Sequence, residues 1–291
     1  MSTTRARPRF VDAHMHLWDV RSNPWYCFPM PGNDFGLGLK TPFPDRYVLD
    51  DYMNSNAVVA LEKCVHVTAV TAAKDVEAES RWITGIAGES GLPSAVIGTV
   101  DLENPSAVEA TLDRETANPL YRGIRLLAGM DYESELADGL LLALLSRNLI
   151  YDAVAHPGGG IANLVRACRR REDLTVVLEH TGWPLATDEH SFDIWRKELR
   201  QFAALPQSYC KLSGLAMTVH STSSVVFRRY FDECIELFGT RRCMFASNFP
   251  VDLSYGSPNE LFSVFRDVAD GLSRDESNDL YARTAECVYR I

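Results

Sequence analysis

The chain has 291 residues, 46% of them hydrophobic and 23% charged, and a formal net charge of −10. This is the composition of a soluble globular protein with enough length for a substantial core, either two small domains or one large α/β domain of about 250 residues. The acidic balance disfavours nucleic acid, which wants clustered Lys and Arg, and no run approaches the roughly 18 apolar residues that cross a bilayer.

The first apolar run, Phe10 to Leu17, carries His14 and His16 at i, i+2. In a strand these side chains project from one face. Two imidazoles side by side make half of a divalent-metal site, because neutral imidazole nitrogen is a good Zn²⁺ ligand; the alternative is a surface strand that happens to carry two histidines. Asp12 lies in phase with His14 and is expected to support the site or the interior. Residues 18 to 45 are rich in aromatics, Pro and Gly and read as an irregular loop. Above a barrel mouth it would be either a lid lined by Trp25, Tyr26 and Phe28 or simple packing over the rim.

Seven more apolar runs of strand length follow, at 57–67, 95–101, 123–127, 149–156, 174–180, 209–213 and 243–248. They are short and end in polar residues, Gly or Pro, as strands buried on both faces of a parallel sheet do. Between them the pattern predicts helices over 72–88, 106–116, 135–147, 161–171, 191–204, 225–238 and 260–272. Pro105 suits a first helical turn, and the leucines at 136, 140, 141, 144 and 145 form an i, i+4 stripe. Eight strands alternating with helices predict an α/β chain, a (β/α)₈ TIM barrel that is distorted, with a long loop after strand one and one domain over 1–291. The open doubly wound sheet is disfavoured because no glycine-rich phosphate loop follows strand one.

There are seven cysteines and no C-x-x-C. An odd number without that spacing argues against a disulfide framework and for a reducing, cytoplasmic setting. The segment 1–7 has no apolar stretch behind it, so a signal peptide is not expected.

In a TIM barrel the reactive groups sit at the C-terminal strand ends. Five of the seven histidines fall there: His14, His16, His66, His156 and His180. Arg125 ends the fourth strand. A charge in a buried strand needs a partner, so Arg125 is either a clamp for a substrate carboxylate or a structural salt bridge. Lys211 is expected inside the barrel or paired with an acid. Glu179, next to His180, would face the opposite way in a regular strand and reads as structural. His66 reads as a rim or packing residue within reach of substrate, and Cys64 as core.

These pieces together resemble the amidohydrolase superfamily, in the amidohydrolase-2 branch that includes sugar-lactone and pyrone-dicarboxylate lactonases. The matching stretches are Asp12-Ala13-His14-Met15-His16-Leu17-Trp18-Asp19, Gly123-Ile124-Arg125, Glu179-His180-Thr181-Gly182-Trp183-Pro184, Lys211-Leu212-Ser213-Gly214-Leu215 and Phe245-Ala246-Ser247-Asn248-Phe249-Pro250-Val251-Asp252. The resemblance covers essentially the whole chain and implies a barrel hydrolase that directs water at an ester or amide carbonyl. His14, His16 and His180 match the branch's metal-ligand positions, for Zn²⁺ or a similar divalent ion, or they bind substrate directly if no metal is used. His156 matches an additional strand-five histidine.

The branch's strand-eight aspartate is replaced by Asn248. An amide cannot take a proton as a carboxylate can. Either Asn248 positions water while His156, Asp101 or Asp252 acts as base, or the chain carries an Asp→Asn exchange, or its chemistry differs. The expectation is a hydrolase of a small, anionic lactone, ester or amide, with Asn248, His180 and His156 catalytic and Arg125, Trp25, Tyr26 and His66 toward substrate. The alternatives are a metal-dependent decarboxylase of the same fold and a non-catalytic barrel that binds small molecules. A homodimer is a plausible assembly, since closed two-fold assemblies are common.

Overall fold

The computed structural model describes residues 7–26, 37–69 and 75–291. Phe28, one of the proposed lid residues, and the start of the helix expected over 72–88 lie outside the described residues. The described residues form ten strands: β1 (Arg9–Met15), β2 (Trp18–Asp19), β3 (Arg46–Tyr47), β4 (Ala60–Val67), β5 (Ala95–Gly98), β6 (Tyr121–Arg125), β7 (Ile150–Ala153), β8 (Val176–Leu178), β9 (Ser208–Leu212) and β10 (Cys243–Phe245). Eight of them form one parallel sheet in the order β1-β4-β5-β6-β7-β8-β9-β10. The chain just past β10 then returns to β1: Asn248 N donates to His14 O at 2.9 Å and His16 N to Phe249 O at 2.8 Å. Those bonds complete the ring of a (β/α)₈ barrel, the expected fold. β2 and β3 pair antiparallel inside the long loop, two residues each and too short to leave a periodic signature.

Helices lie between the strands, among them Val76–Ser90, Pro105–Thr116, Glu135–Ser146, Ser224–Phe238 and Pro258–Ala269. Their ends follow local chemistry. Pro105 opens its helix, Ser134 Oγ accepts the Ala137 N–H, and Ser257 and Glu260 form a reciprocal capping box. No helix among the described residues is long and apolar enough to cross a membrane.

Alternation along each strand sorts the core into two parts. Val11, Ala13, Val65, Val67, Ala95, Ile97, Val177, Met244 and Ala246 fill the barrel interior, while Phe10, Cys64, Val96, Ile124, Tyr151, Leu178, Leu212 and Phe245 face the helices. The interior is closed from the N-terminal strand ends by the last helix, Thr284–Tyr289, whose Ala285, Val288 and Tyr289 join the interior cluster. Its Glu286 pairs with Arg9 and Lys63 near the starts of β1 and β4, at 3.1 Å and 2.9 Å. Gly123 is fixed by crowding: a Cβ there would lie 2.1 Å from the Ile150 carbonyl oxygen of the neighbouring strand, so only glycine lets β6 and β7 approach this closely.

β1 departs from regular alternation. Asp12 lies opposite Cys64 and Met15 opposite His66, so three steps on β1 match two on β4. This bulge separates Asp12 from His14 in direction. Contrary to the in-phase reading, Asp12 is turned toward the helices. It accepts from Tyr52 OH at 2.9 Å, Ser247 N at 2.9 Å and Ser247 Oγ at 2.5 Å, and so pins the end of β10 to β1.

Candidate active site

With Val65 and Val67 inside the barrel, the intervening His66 must face outward. Its Nε2 meets Glu79 Oε1 of the helix Val76–Ser90 at 3.1 Å, and its Nδ1 accepts the Leu17 N–H at 3.3 Å. Tyr26 joins the same group, its hydroxyl donating to Leu17 O at 3.1 Å and lying 3.3 Å from Glu79 Oε1. The ring of Trp25 packs on Tyr26 with centroids 6.0 Å apart. None of these three residues lines the large cavity at the C-terminal barrel mouth. The structure places them between barrel and helix rather than beside the space for substrate.

The interior polar residues are otherwise brought together. Arg125, Asp152, Glu179 and Lys211 come from β6, β7, the end of β8 and β9, and all are buried. Lys211 is both inside the barrel and paired with an acid: Nζ donates to Asp152 Oδ2 at 2.5 Å and sits 3.2 Å from His14 Nδ1. Tyr289 OH also donates to Asp152 Oδ2, at 2.9 Å. Arg125 meets Glu179 Oε2 at 3.4 Å and donates a second bond to the Thr68 carbonyl. Its Nε has no hydrogen-bond partner. Arg125 thus forms an internal ion pair and also lines the cavity.

Glu179 is a correction. It faces inward by ordinary alternation after Val177, and it is His180 that breaks the pattern. The strand ends at Leu178, and His180 and Thr181 take left-handed φ values of 52° and 55°, which turn His180 to the same side as Glu179. Gly214 leaves the room, since a Cβ there would fall 2.4 Å from the His180 ring.

The three histidines converge. The rings of His14 and His16 are 4.8 Å apart, those of His14 and His180 4.6 Å, and the Nε2 atoms of His14 and His16 are 3.1 Å apart. His16 Nδ1 donates to Val67 O at 2.8 Å, which puts the lone pair of the neutral ring on Nε2, facing His14 Nε2. His180 Nδ1 is held by Ser213 Oγ at 2.9 Å. All three rings are held well below the usual histidine range. Burial is the main cause, followed by the Lys211 charge at His14 and His180 and the Arg125 charge at His16. They are neutral at neutral pH, the form that binds a metal.

His14, Glu179 and His180 offer donor atoms all within 4.8 Å of one another, with His16 against His14. Glu179 Oε1 is buried without a hydrogen-bond partner and lies 3.5 Å from His14 Nδ1. Imidazole nitrogens with one carboxylate oxygen suit zinc and its neighbours in the first transition row. The residues present therefore fit a divalent ion. Sequence reasoning missed Glu179 as a donor; the signal available was its place two residues after an interior valine.

Above this group opens a cavity of about 630 Å³, whose lining includes His16, Arg125, His156, His180 and Asn248. A family model described as amidohydrolase matches residues 11–291. The chain belongs to the amidohydrolase family. This amidohydrolase is 29% identical to the uncharacterized protein y4mH of Sinorhizobium fredii over 97% of its own length and 98% of that protein's. It is 26% identical to an L-fucono-1,5-lactonase of Burkholderia multivorans, over 97% of this chain and 96% of the relative. Among solved structures, an amidohydrolase from Burkholderia multivorans with bound zinc superposes with a TM-score of 0.81 at 25% identity, covering 97% of this chain and 99% of that one.

The three candidate bases are placed differently in this amidohydrolase. Asp101 lines the cavity, but its Oδ1 accepts the Glu103 N–H at 2.9 Å. Asp252 is buried behind Asn248 and outside the lining; its Oδ1 accepts from Asn248 Nδ2 at 2.8 Å. Burial pushes its carboxyl up to about 7. That bond orients the Asn248 amide and leaves Asn248 Oδ1 as the acceptor on a cavity-lining side chain. Asn248 itself has φ 54°, a conformation asparagine tolerates better than most residues. His156 lines the cavity edge-on to Trp183 at 5.5 Å, its Nδ1 without a hydrogen-bond partner.

Proposed function

We propose that this amidohydrolase opens a small lactone bearing a carboxylate, with a divalent ion held by His14, His16, Glu179 and His180. The observation that carries the reading is the convergence of three neutral, buried histidines and one unpartnered carboxylate oxygen at a cavity floor. The likeness to a lactonase and to a zinc-holding amidohydrolase supports it. An ion there would supply acidification of water and polarisation of the carbonyl.

The chain's own residues do the rest. Arg125, which lines the cavity, draws the substrate carboxylate toward the floor. Asn248 Oδ1 accepts a hydrogen bond from the attacking water and fixes its direction. His156 takes the proton that water loses as its oxygen bonds to the carbonyl carbon, then returns it to the ring oxygen when the C–O bond breaks, giving a hydroxy acid. Trp18 and Trp183, in the walls, exclude bulk water.

The test is acid release on addition of L-fucono-1,5-lactone and a set of carboxylated lactones. Turnover is expected with at least one of them, lost on chelation and restored by Zn²⁺. Full turnover in the chelated protein would remove the metal from the mechanism, and failure to turn over any lactone, ester or amide would remove the hydrolase reading.

A further inference from the structure

The lining of the mouth cavity carries His16, Arg125, His156, His180 and Asn248, with Thr68, Thr99, Asp101 and Glu103 as further polar residues, while the rest is apolar, including Trp18, Phe43, Leu126, Trp183, Met217 and Val251. We propose that the substrate's body is apolar, an aryl or alkyl lactone with a single carboxylate, and not a polyhydroxylated sugar lactone. This rests on the hydrolase reading above and adds the substrate class.

A sugar lactone brings several hydroxyls, and each needs a partner once desolvated. Few remain in the wall among the described residues. The single Thr68 hydroxyl proton is already committed between Glu79 and the Ala69 carbonyl, the latter at 3.0 Å. Asp101 accepts the Glu103 backbone N–H at 2.9 Å. That leaves Asp101 Oδ2, Thr99 and the exposed Glu103 as the wall groups with no hydrogen bond to give up. Leu127, also in the lining, is 42% exposed. An apolar side chain left open to solvent at a cavity gains by being covered with apolar substrate surface. The volume of about 630 Å³ lies mid-range for pockets that enclose drug-sized ligands. Among the described residues Arg125 is the single guanidinium in the lining, which matches one carboxylate and not two.

The experiment compares kcat/KM for dihydrocoumarin-3-carboxylate and L-fucono-1,5-lactone on the metal-loaded protein, and repeats it with Leu127→Asn, a side chain exposed enough to change without unfolding the barrel. The aryl lactone is expected to be preferred by roughly 10–100-fold, and Leu127→Asn to narrow that preference by about threefold or more. Equal or better turnover of the sugar lactone overturns the proposal while leaving the hydrolase reading intact. If neither lactone turns over, tryptophan fluorescence quenching by two matched monocarboxylic acids, one aryl and one sugar-derived, decides. Tighter binding of 3-(2-hydroxyphenyl)propanoate than of L-fuconate upholds the apolar class, and the reverse order overturns it, while the hydrolase reading is judged separately by its own lactone set.

Discussion

Replacing His156 with glutamine is expected to lower kcat/KM for lactone opening by ~10²–10⁴-fold, the usual loss when a positioned acid–base group is removed. The size follows from place and isolation. Of the three groups able to stand in for the missing strand-eight carboxylate, Asp252 lies outside the cavity lining, and Asp101 is engaged with the Glu103 backbone. His156 lines the cavity, and its buried Nδ1 has no hydrogen-bond partner. His156 is not one of the converged donors, so the metal content of the variant should match that of the parent. Glutamine keeps a polar side chain of similar reach and should leave the melting temperature within a few degrees. A variant that retains activity within about threefold would move the proton transfer to another group. A variant that loses metal along with activity would make His156 a support for the ion.

The second large effect concerns Asp252. Burial raises its carboxyl from the ordinary 3.8 to about 7 in the folded chain, against the lowering effect of the Asn248 hydrogen bond. The sign is fixed by proton counting. Between these values the folded chain holds a proton that the unfolded chain releases, so stability falls as pH rises through this window. The shift of about three units corresponds to an upper bound of about 4 kcal/mol at ~1.36 kcal/mol per unit. Asp252→Asn keeps an Oδ1 acceptor for Asn248 Nδ2 and removes the charge. Urea unfolding at pH 5 and pH 8 should show the parent losing stability relative to the variant by about 2–3 kcal/mol between the two. Asp12, which burial raises to about 6, is present in both proteins, and its charge is a smaller cause of the rise at Asp252. Parallel stability curves for parent and variant would mean that Asp252 carries no burial penalty.

Much of this architecture is legible before the coordinates, for a physical reason. The eight barrel strands are buried on both faces, so they stand out as short apolar runs, and a lone charge inside such a run, as at Arg125 or Lys211, already announces an interior partner. The His14–His16 pair is readable because the period of a strand is two. Glu179 and Asp12 were misread because that same rule fails where the backbone departs from a regular strand: at the left-handed turn of His180 and at the bulge in β1. His66 shows the other limit. Alternation says which residues share a face, and only the packing against Glu79 says which face is inside. The C-terminal helices escaped notice because the segment Asp279–Arg283 is a π turn, which shifts the apolar stripe off the 3.6-residue period before Ala285, Val288 and Tyr289 plug the barrel.

The proposed mechanism rests on one arrangement, a divalent ion held by His14, His16, Glu179 and His180. Its most direct test is elemental analysis of the protein purified without chelator, alongside His180→Ala and Glu179→Gln. The expected result is about one divalent ion per chain in the parent, most of it missing from His180→Ala and a clear fraction missing from Glu179→Gln, with both variants folded by circular dichroism. A parent that hydrolyses lactone at full rate with no bound ion, or a His180→Ala variant that keeps its ion, would contradict the arrangement.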